Sequence, residues 1–245
     1  GNFLRANEPD TVKIRQVIEH ASDLYLEGVL DSSLLLAGRA NAEVTKLLHP
    51  DKVKYDEASL DQMKLLKARA LNVLALSIES AEPQAAIDSL QLAIELMEET
   101  GNIVEKANLY SSMAMVYDFQ AQNEVALEYH TMSIALYREA SNMEGQAMAL
   151  TNMGITYRNM GNYGEAMEVL LESLDLYRNL NDSINVVETL LAMGFVYMYV
   201  DRWDGALDAQ EQALKIYRNR NDSLGIARIY NDMGALNMSA GNYQE

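Results

Sequence analysis

Shifted by forty residues, the chain lies on itself. Met153-Gly154 falls on Met193-Gly194 and on Met233-Gly234, Tyr157 on Tyr197, Ala166 on Ala206, and Tyr177-Arg178 on Tyr217-Arg218. Asn181-Asp182-Ser183 returns as Asn221-Asp222-Ser223, and a fainter register runs upstream through Met113-Ala114, Tyr117, Ala126 and Tyr137-Arg138 to Val73 and Ala86. A fixed period of this length is the mark of a stacked-repeat architecture, in which one supersecondary unit buries its apolar face only against its neighbours. Residues forty apart are therefore expected in equivalent surroundings, Gly154, Gly194 and Gly234 above all.

Within each period the apolar spacing is helical. Residues 1–10 are a polar lead-in. Residues 11–27 carry Val12, Ile14, Val17, Ile18, Ala21, Leu24 and Leu26 at helical spacing, and Gly28 stops that helix. A second helix is predicted from Asp31, taken as its N-cap, to about Leu48. His49-Pro50-Asp51 breaks the pattern, and the charged stretch 51–57 reads as the longest connection. Residues 1–58 thus form an irregular helical pair with its connection, and 59–245 a regular array of about four and a half pairs. In that array the first helix of each pair ends before a short turn, at Gly161-Asn162-Tyr163, Asp201-Arg202-Trp203 and Gly241-Asn242-Tyr243. The second ends near Glu99, Glu139, Asn179 or Asn219, after which Asn142, Asp182 and Asp222 stand where a side-chain oxygen caps the next helix. Eleven helices are expected, the last over about 223–240. The chain opens on Gly1 and stops at Gln244-Glu245, where the next second helix should begin. Both ends read as cuts from a longer protein, with an uncapped C-terminal face left for a partner or a second copy.

Composition narrows the function classes. Of 245 residues 49% are apolar, with three prolines and thirteen glycines, which supports a continuous core. The formal charge of −17 repels phosphate backbones and anionic lipid, so nucleic acid is not an expected partner. Cysteine is absent, which removes disulfides, thiolate catalysis and Cys-based zinc sites. No apolar run approaches the ~20 residues of a membrane span, so direct insertion is not expected, and no basic-then-apolar signal segment opens the chain.

Leu150-x2-Met153-Gly154-x2-Tyr157, followed by Ala166 and Leu170, resembles the tetratricopeptide pattern of a large residue, Leu-Gly, Tyr, Ala and Phe. Leu190, Met193, Gly194, Tyr197 and Ala206 repeat it, and Tyr230, Met233 and Gly234 begin it again. Small residues at Ala114, Gly154, Gly194 and Gly234 are expected where the two helices of a pair cross closely, facing Ala166 and Ala206, with Tyr157 and Tyr197 filling the space beside them. The period is forty rather than about 34, and the closing proline is missing, so each helix is expected to be longer by nearly a turn. The pattern is similar to the 40-residue subclass found in kinesin light chain, in spindle adaptors that bind Gα subunits, in Rap-type regulators, and in the sensor regions of bacterial histidine kinases and LuxR-type regulators.

That resemblance implies an all-α, right-handed superhelical solenoid of antiparallel helix pairs, its inner wall lined by first helices, which binds a peptide or protein segment. Carried over position by position, the wall includes Asn108, Ser111, Met115 and Asp118; Met148, Thr151, Ile155 and Arg158; Glu188, Leu191, Phe195 and Met198; Arg228, Asn231, Ala235 and Met238. Met115, Ile155, Phe195, Met198 and Met238 would give it an apolar stripe, and polarizable Met suits a groove that adapts to its ligand. The same stripe is also what packing between neighbouring first helices demands. Asn72 and Asn152 occupy the slot from which relatives hold a ligand's backbone amide, but Ser112, Ala192 and Asp232 interrupt the ladder. Arg158 and Arg228 could seat a carboxylate, or pair with neighbouring Asp and Glu on so acidic a surface.

Chemical motifs are wanting. His20, His49 and His130 have no His or Cys at ligand spacing, and His130, facing Ala126 and Ser133, reads as a packed, satisfied imidazole. Gly161-x2-Gly164 is a repeat turn, no Ser sits in a nucleophile elbow, and Glu98-Glu99 is a solvated helix end. Three sequons, at Asn181, Asn221 and Asn237, coincide with repeat features. No catalytic, cofactor or metal site is therefore expected. The expected role is the sensory or regulatory segment of a bacterial signalling protein, periplasmic or cytoplasmic; the alternative is a spacer that dimerises effector domains.

Overall fold

The computed structural model describes residues 8–48 and 55–239, and of residues 8–10, 237 and 239 the backbone alone. Residues 1–7 of the lead-in, the break at His49-Pro50-Asp51 with most of the connection after it, the turn at Gly241-Asn242-Tyr243 and the Gln244-Glu245 end lie outside the described residues. Among the described residues there are eleven α-helices and no strand: α1 (Glu8–Leu26), α2 (Leu30–Leu47), α3 (Glu57–Ile78), α4 (Pro83–Thr100), α5 (Ile103–Phe119), α6 (Asn123–Glu139), α7 (Met143–Asn159), α8 (Tyr163–Asn179), α9 (Ser183–Tyr199), α10 (Trp203–Asn219) and α11 (Ser223–Ser239). The fold class is the all-α one of paired repeat helices.

From α5 onward each helix has 17 residues, and a three-residue connection follows, so helices recur every twentieth residue and pairs every fortieth. The middle residue of each connection is left-handed: Ala121, Ser141, Gly161, Asn181, Asp201 and Asn221 all have φ between 54° and 81°. That conformation turns the next amide back onto the helix just ended. Gln122, Asn162, Asp182, Arg202 and Asp222 donate to the carbonyls of Tyr117, Tyr157, Tyr177, Tyr197 and Tyr217 at 2.9–3.0 Å, which satisfies carbonyls that a helix end otherwise leaves orphaned.

First helices are then opened by a side-chain cap. Asn102, Asn142 and Asp222 each accept from the amide three residues on at 2.9–3.0 Å, and Asp182 accepts from Ile184 and Asn185. Such a cap contributes about 1 kcal/mol. The second helices α6, α8 and α10 begin without one. Asp31 is not the cap of α2: Gly28, at φ 77°, returns the Val29 amide to Leu24 O at 2.8 Å, and the helix begins at Leu30 with Val29 in the cap position. Asp31 instead lies in the first turn, favourable to the helix dipole.

The chain divides into two compact units, Gly1–Ala140 and Ser141–Glu245. In the first, Ile14, Ile18, Ala40, Val44, Met63 and Leu66 join α1, α2 and α3, and Leu71, Leu90, Met97, Leu109 and Met113 join α3, α4 and α5. In the second, Ala166, Leu170, Leu174, Leu190 and Val196 join α8 to α9, with Ala147 of α7, and Val187, Leu191, Ala213, Leu214 and Ile229 join α9, α10 and α11. Each cluster draws on successive helices, as repeat stacking requires.

The repeat positions are not chemically uniform. Where Leu71 faces Ala93 and Leu191 faces Ala213 across a pair, the intervening repeats place Ser111 against Ser133 (2.8 Å) and Thr151 against Ser173 (2.7 Å). Ser133 and Ser173 also bond the Ala107 and Ala147 carbonyls, and Thr151 reaches Thr189 of the next repeat at 3.3 Å, so these hydroxyls are paired within the array rather than offered to a ligand. The expected equivalence of the glycines is also corrected. A Cβ at Gly154 would stand 2.6 Å from Leu170 Cγ; at Gly194 the nearest atoms are Ala206 O and Ala209 Cβ at 3.9 Å; at Gly234 nothing lies within 4 Å. Gly154 is held by close crossing, Gly194 is not, because the residue in the place of Leu170 is Gln210. Around Gly234 no such neighbour stands among the described residues.

Candidate functional site

The eleven residues expected on the ligand-facing wall all stand on first helices. In the first unit these are Asn72 of α3 and Met115 of α5, both half-buried. The Asn72 side-chain carbonyl is buried without a hydrogen-bond partner. Two buried ionisable features stand there, of which Glu105 gave no signal in the spacing and His130 was expected as a packed, satisfied imidazole. Glu105 is buried and accepts from Arg69 Nε and Nη2 at 3.1 and 3.0 Å, tying α5 to α3. His130 is fully buried; its Nε2 lies 3.2 Å from Asp118 Oδ2, but its Nδ1 has no partner among the described residues, so the imidazole is only half satisfied.

The second unit holds the other nine. Asn152, Ile155 and Arg158 lie half-buried on α7. Arg158 donates to Asn159 Oδ1 at 3.0 Å, and its guanidinium sits 5.7 Å from the centroid of the Phe195 ring, linking α7 to α9. An exposed contact of this kind is worth about 0.5–1 kcal/mol. Phe195 is 51% exposed and Met238 63%, whereas Leu191, at 7%, belongs to the core between α9 and α11. Asn231 is exposed. Arg228 reaches Glu188 at 3.5 Å with both side chains about half exposed, a pairing that holds the cation weakly.

Four of the eleven converge on one cavity. Leu191, Phe195 and Met198 from α9 and Arg228 from α11 line a recess of about 130 Å³. Gly194, Gln210, Asp232, Ala235 and Leu236 complete it. Its origin lies in the backbone and in one substitution. First helices α7 and α9 approach one another directly, but α11 packs on α10 and meets α9 only through side chains, which leaves a gap. In the preceding repeat Leu170 fills the corresponding place over Gly154; here Gln210 stands instead, 7% exposed, its Oε1 buried and without a hydrogen-bond partner. A buried acceptor left unpaired costs about 1–3 kcal/mol, so a group that supplies a donor is stabilised there. The recess therefore joins apolar walls to Gln210, whose side-chain acceptor is buried and unpaired, and to a cation and an anion, Arg228 and Asp232. That is the chemistry of recognition.

Gln210 was missed although its signal was in the register: Leu90 and Leu170 mark its position as interior, and Gln210, like His130, sets a polar side chain there. Larger depressions lie elsewhere, of about 670 Å³ between α1 and α2 and about 400 Å³ along α8, α9 and α10. Along them Arg39 pairs with Glu43 on α2, and Arg178 of α8 bonds Gln212 of α10.

Comparison with known proteins places this geometry in a family context. A profile described as the tetratricopeptide repeat matches residues 105–179, 145–219 and 185–245, three matches that begin forty residues apart. No curated protein matches the sequence. Among solved structures, BtubC (BKLC) from P. vanneervenii is similar at TM-score 0.65 and 18% identity, over 88% of this chain and 84% of that one. The STAND protein with a tetratricopeptide repeat sensor from Pyrococcus horikoshii is similar at TM-score 0.68 and 16% identity, over 91% of this chain but 31% of its own. A Rap protein complexed with Competence and Sporulation Factor is similar at TM-score 0.64 and 12% identity, over 94% of this chain and 65% of its own.

Proposed function

The chain belongs to the tetratricopeptide repeat family, a protein-interaction fold, and on that premise we propose that it captures an extended peptide or protein segment along the face built by first helices α7, α9 and α11. The observation that carries this reading is the recess between α9 and α11, lined by the half-exposed Phe195, by Met198 and by Gln210, whose side-chain acceptor the fold leaves unpaired. Exposed aromatic and thioether groups grip a chain by area and adapt to its side chains. Arg158 steadies Phe195 from the neighbouring repeat, so the aromatic is held rather than free. In the Rap complex a regulatory factor is the bound partner, and the STAND protein uses its repeats as a sensor. By that analogy the role is the sensory or regulatory segment of a bacterial signalling protein, with recognition and no catalysis as its task.

The test is selection from a random-peptide phage library on this chain, followed by titration of the selected peptides against F195D/M198D. Loss of at least tenfold in affinity, with an unchanged far-UV spectrum, is expected. Selected peptides that bind the double variant as well as the parent would place the ligand elsewhere.

A further inference from the structure

The recess beside Gly194 has a shape and a polarity that name what enters it. Its volume is about 130 Å³, close to the roughly 150 Å³ of an apolar cavity that accepts benzene in another protein. Its walls are aliphatic, aromatic and thioether, from Leu191, Phe195 and Met198, and Arg228 stands at its edge. Each of these contacts favours an aromatic ring: edge or offset packing on Phe195, sulfur against the ring from Met198, and guanidinium over its face. Gln210 is among the lining residues, and its side-chain carbonyl is buried without a hydrogen-bond partner. Phenylalanine or leucine would leave that acceptor unpaired.

We propose that this recess is the receptor for a tyrosine side chain of the bound segment, its phenolic hydroxyl bonded to Gln210. A hydroxyl both donates and accepts, so it satisfies the amide whichever way its oxygen and nitrogen are placed. The proposal rests on the ligand-binding reading of the α9–α11 face and adds the chemistry of one residue to it. Gln210 is the discriminating group, because a site built to bond a hydroxyl rejects the analogue that lacks it more strongly than an apolar pocket rejects a change of size.

The experiment uses the chain with 13C-methyl methionine, the Met198 resonance being assigned through Met198→Leu. N-acetyl-tyrosinamide, N-acetyl-phenylalaninamide and N-acetyl-leucinamide are the probes. A saturable shift of the Met198 methyl is expected with the tyrosine probe, with the other two weaker by about tenfold, the equivalent of one hydrogen bond. Gln210→Leu, which copies the preceding repeat, should abolish the shift, and Gln210→Met, which keeps the volume, should remove the preference for tyrosine over phenylalanine. Equal affinity for the tyrosine and phenylalanine probes, an undiminished shift in Gln210→Leu, or no shift at all would overturn the assignment. The wider reading fails by a different result: library peptides indifferent to F195D/M198D remove the face, whereas peptides sensitive to it but without tyrosine keep the face and remove this pocket's role.

Discussion

Gly154 and Gly194 share a register and a helix position but carry different burdens. A methyl at Gly154 would meet Leu170, a fully buried side chain with no room to withdraw, and overpacking of that kind costs about 1–3 kcal/mol. At Gly194 the same methyl enters ordinary contact at 3.9 Å and relieves a helix interior of glycine, worth about 0.5–1 kcal/mol. Urea unfolding should therefore show G154A destabilised and G194A neutral or stabilised; equal effects would mean that the two crossings are alike. Tyr137 gives a second residue-scale test. Burial pushes its phenol up to about 12, against about 10 in an exposed chain. Between these values the unfolded chain releases a proton that the folded one keeps, so this contribution is whole below pH 10 and is lost as pH climbs toward 12. Tyr137→Phe should flatten the alkaline fall in stability, and cost about 1 kcal/mol at neutral pH through the lost bond to Asn108; an alkaline limb identical to the parent's would contradict that origin. At this scale the spacing put the expected wall residues on first helices, yet showed neither that Leu191 is core nor that Ser111 and Thr151 bond serines across the pair. Nor could spacing reveal that Gln210 lacks a partner, since a hydrogen bond depends on atoms that periodicity does not specify.

Among elements, the turn is the unit most plainly repeated. Tyr117, Tyr137, Tyr157, Tyr177, Tyr197 and Tyr217 recur every twentieth residue, half the period from which the pairs were read, and five of them supply the carbonyl that closes the following turn. That half-period was visible in the chain but is masked by the unlike jobs of first and second helices. Helix ends at Glu139, Asn179 and Asn219 and the caps at Asn142, Asp182 and Asp222 were legible, because one side chain and one amide decide each of them. Asp31 was misread, because the left-handed Gly28 sets the start of α2 from outside the helix. Ala121 is the weakest residue in the series, an alanine at φ 57° where the other connections use Gly, Asn, Asp or Ser. Ala121→Gly removes a Cβ penalty of roughly 1–2 kcal/mol, offset in part by the freer unfolded glycine. A net gain of up to about 1 kcal/mol in urea unfolding is expected; a loss would mean that this turn is not strained.

For the molecule as a whole, charge and recognition set the terms. With a net charge of −17, self-repulsion opposes the folded state, and it is screened as the Debye length falls from about 30 Å at 0.01 M salt to about 8 Å at 0.15 M. Melting temperature should rise over that range, and a flat response would mean that the acidic side chains are dispersed too widely to interact. Among the described residues no helix is long and apolar enough to cross a membrane. The central claim is that the first-helix face of the second unit receives the ligand, and amide hydrogen exchange with and without a library-selected peptide tests it most directly. Added protection is expected in α9 and α11, around Leu191–Met198 and Arg228–Leu236, and is expected to vanish in F195D/M198D. Protection confined to second helices α8 and α10, or spread evenly over all eleven helices, would contradict it.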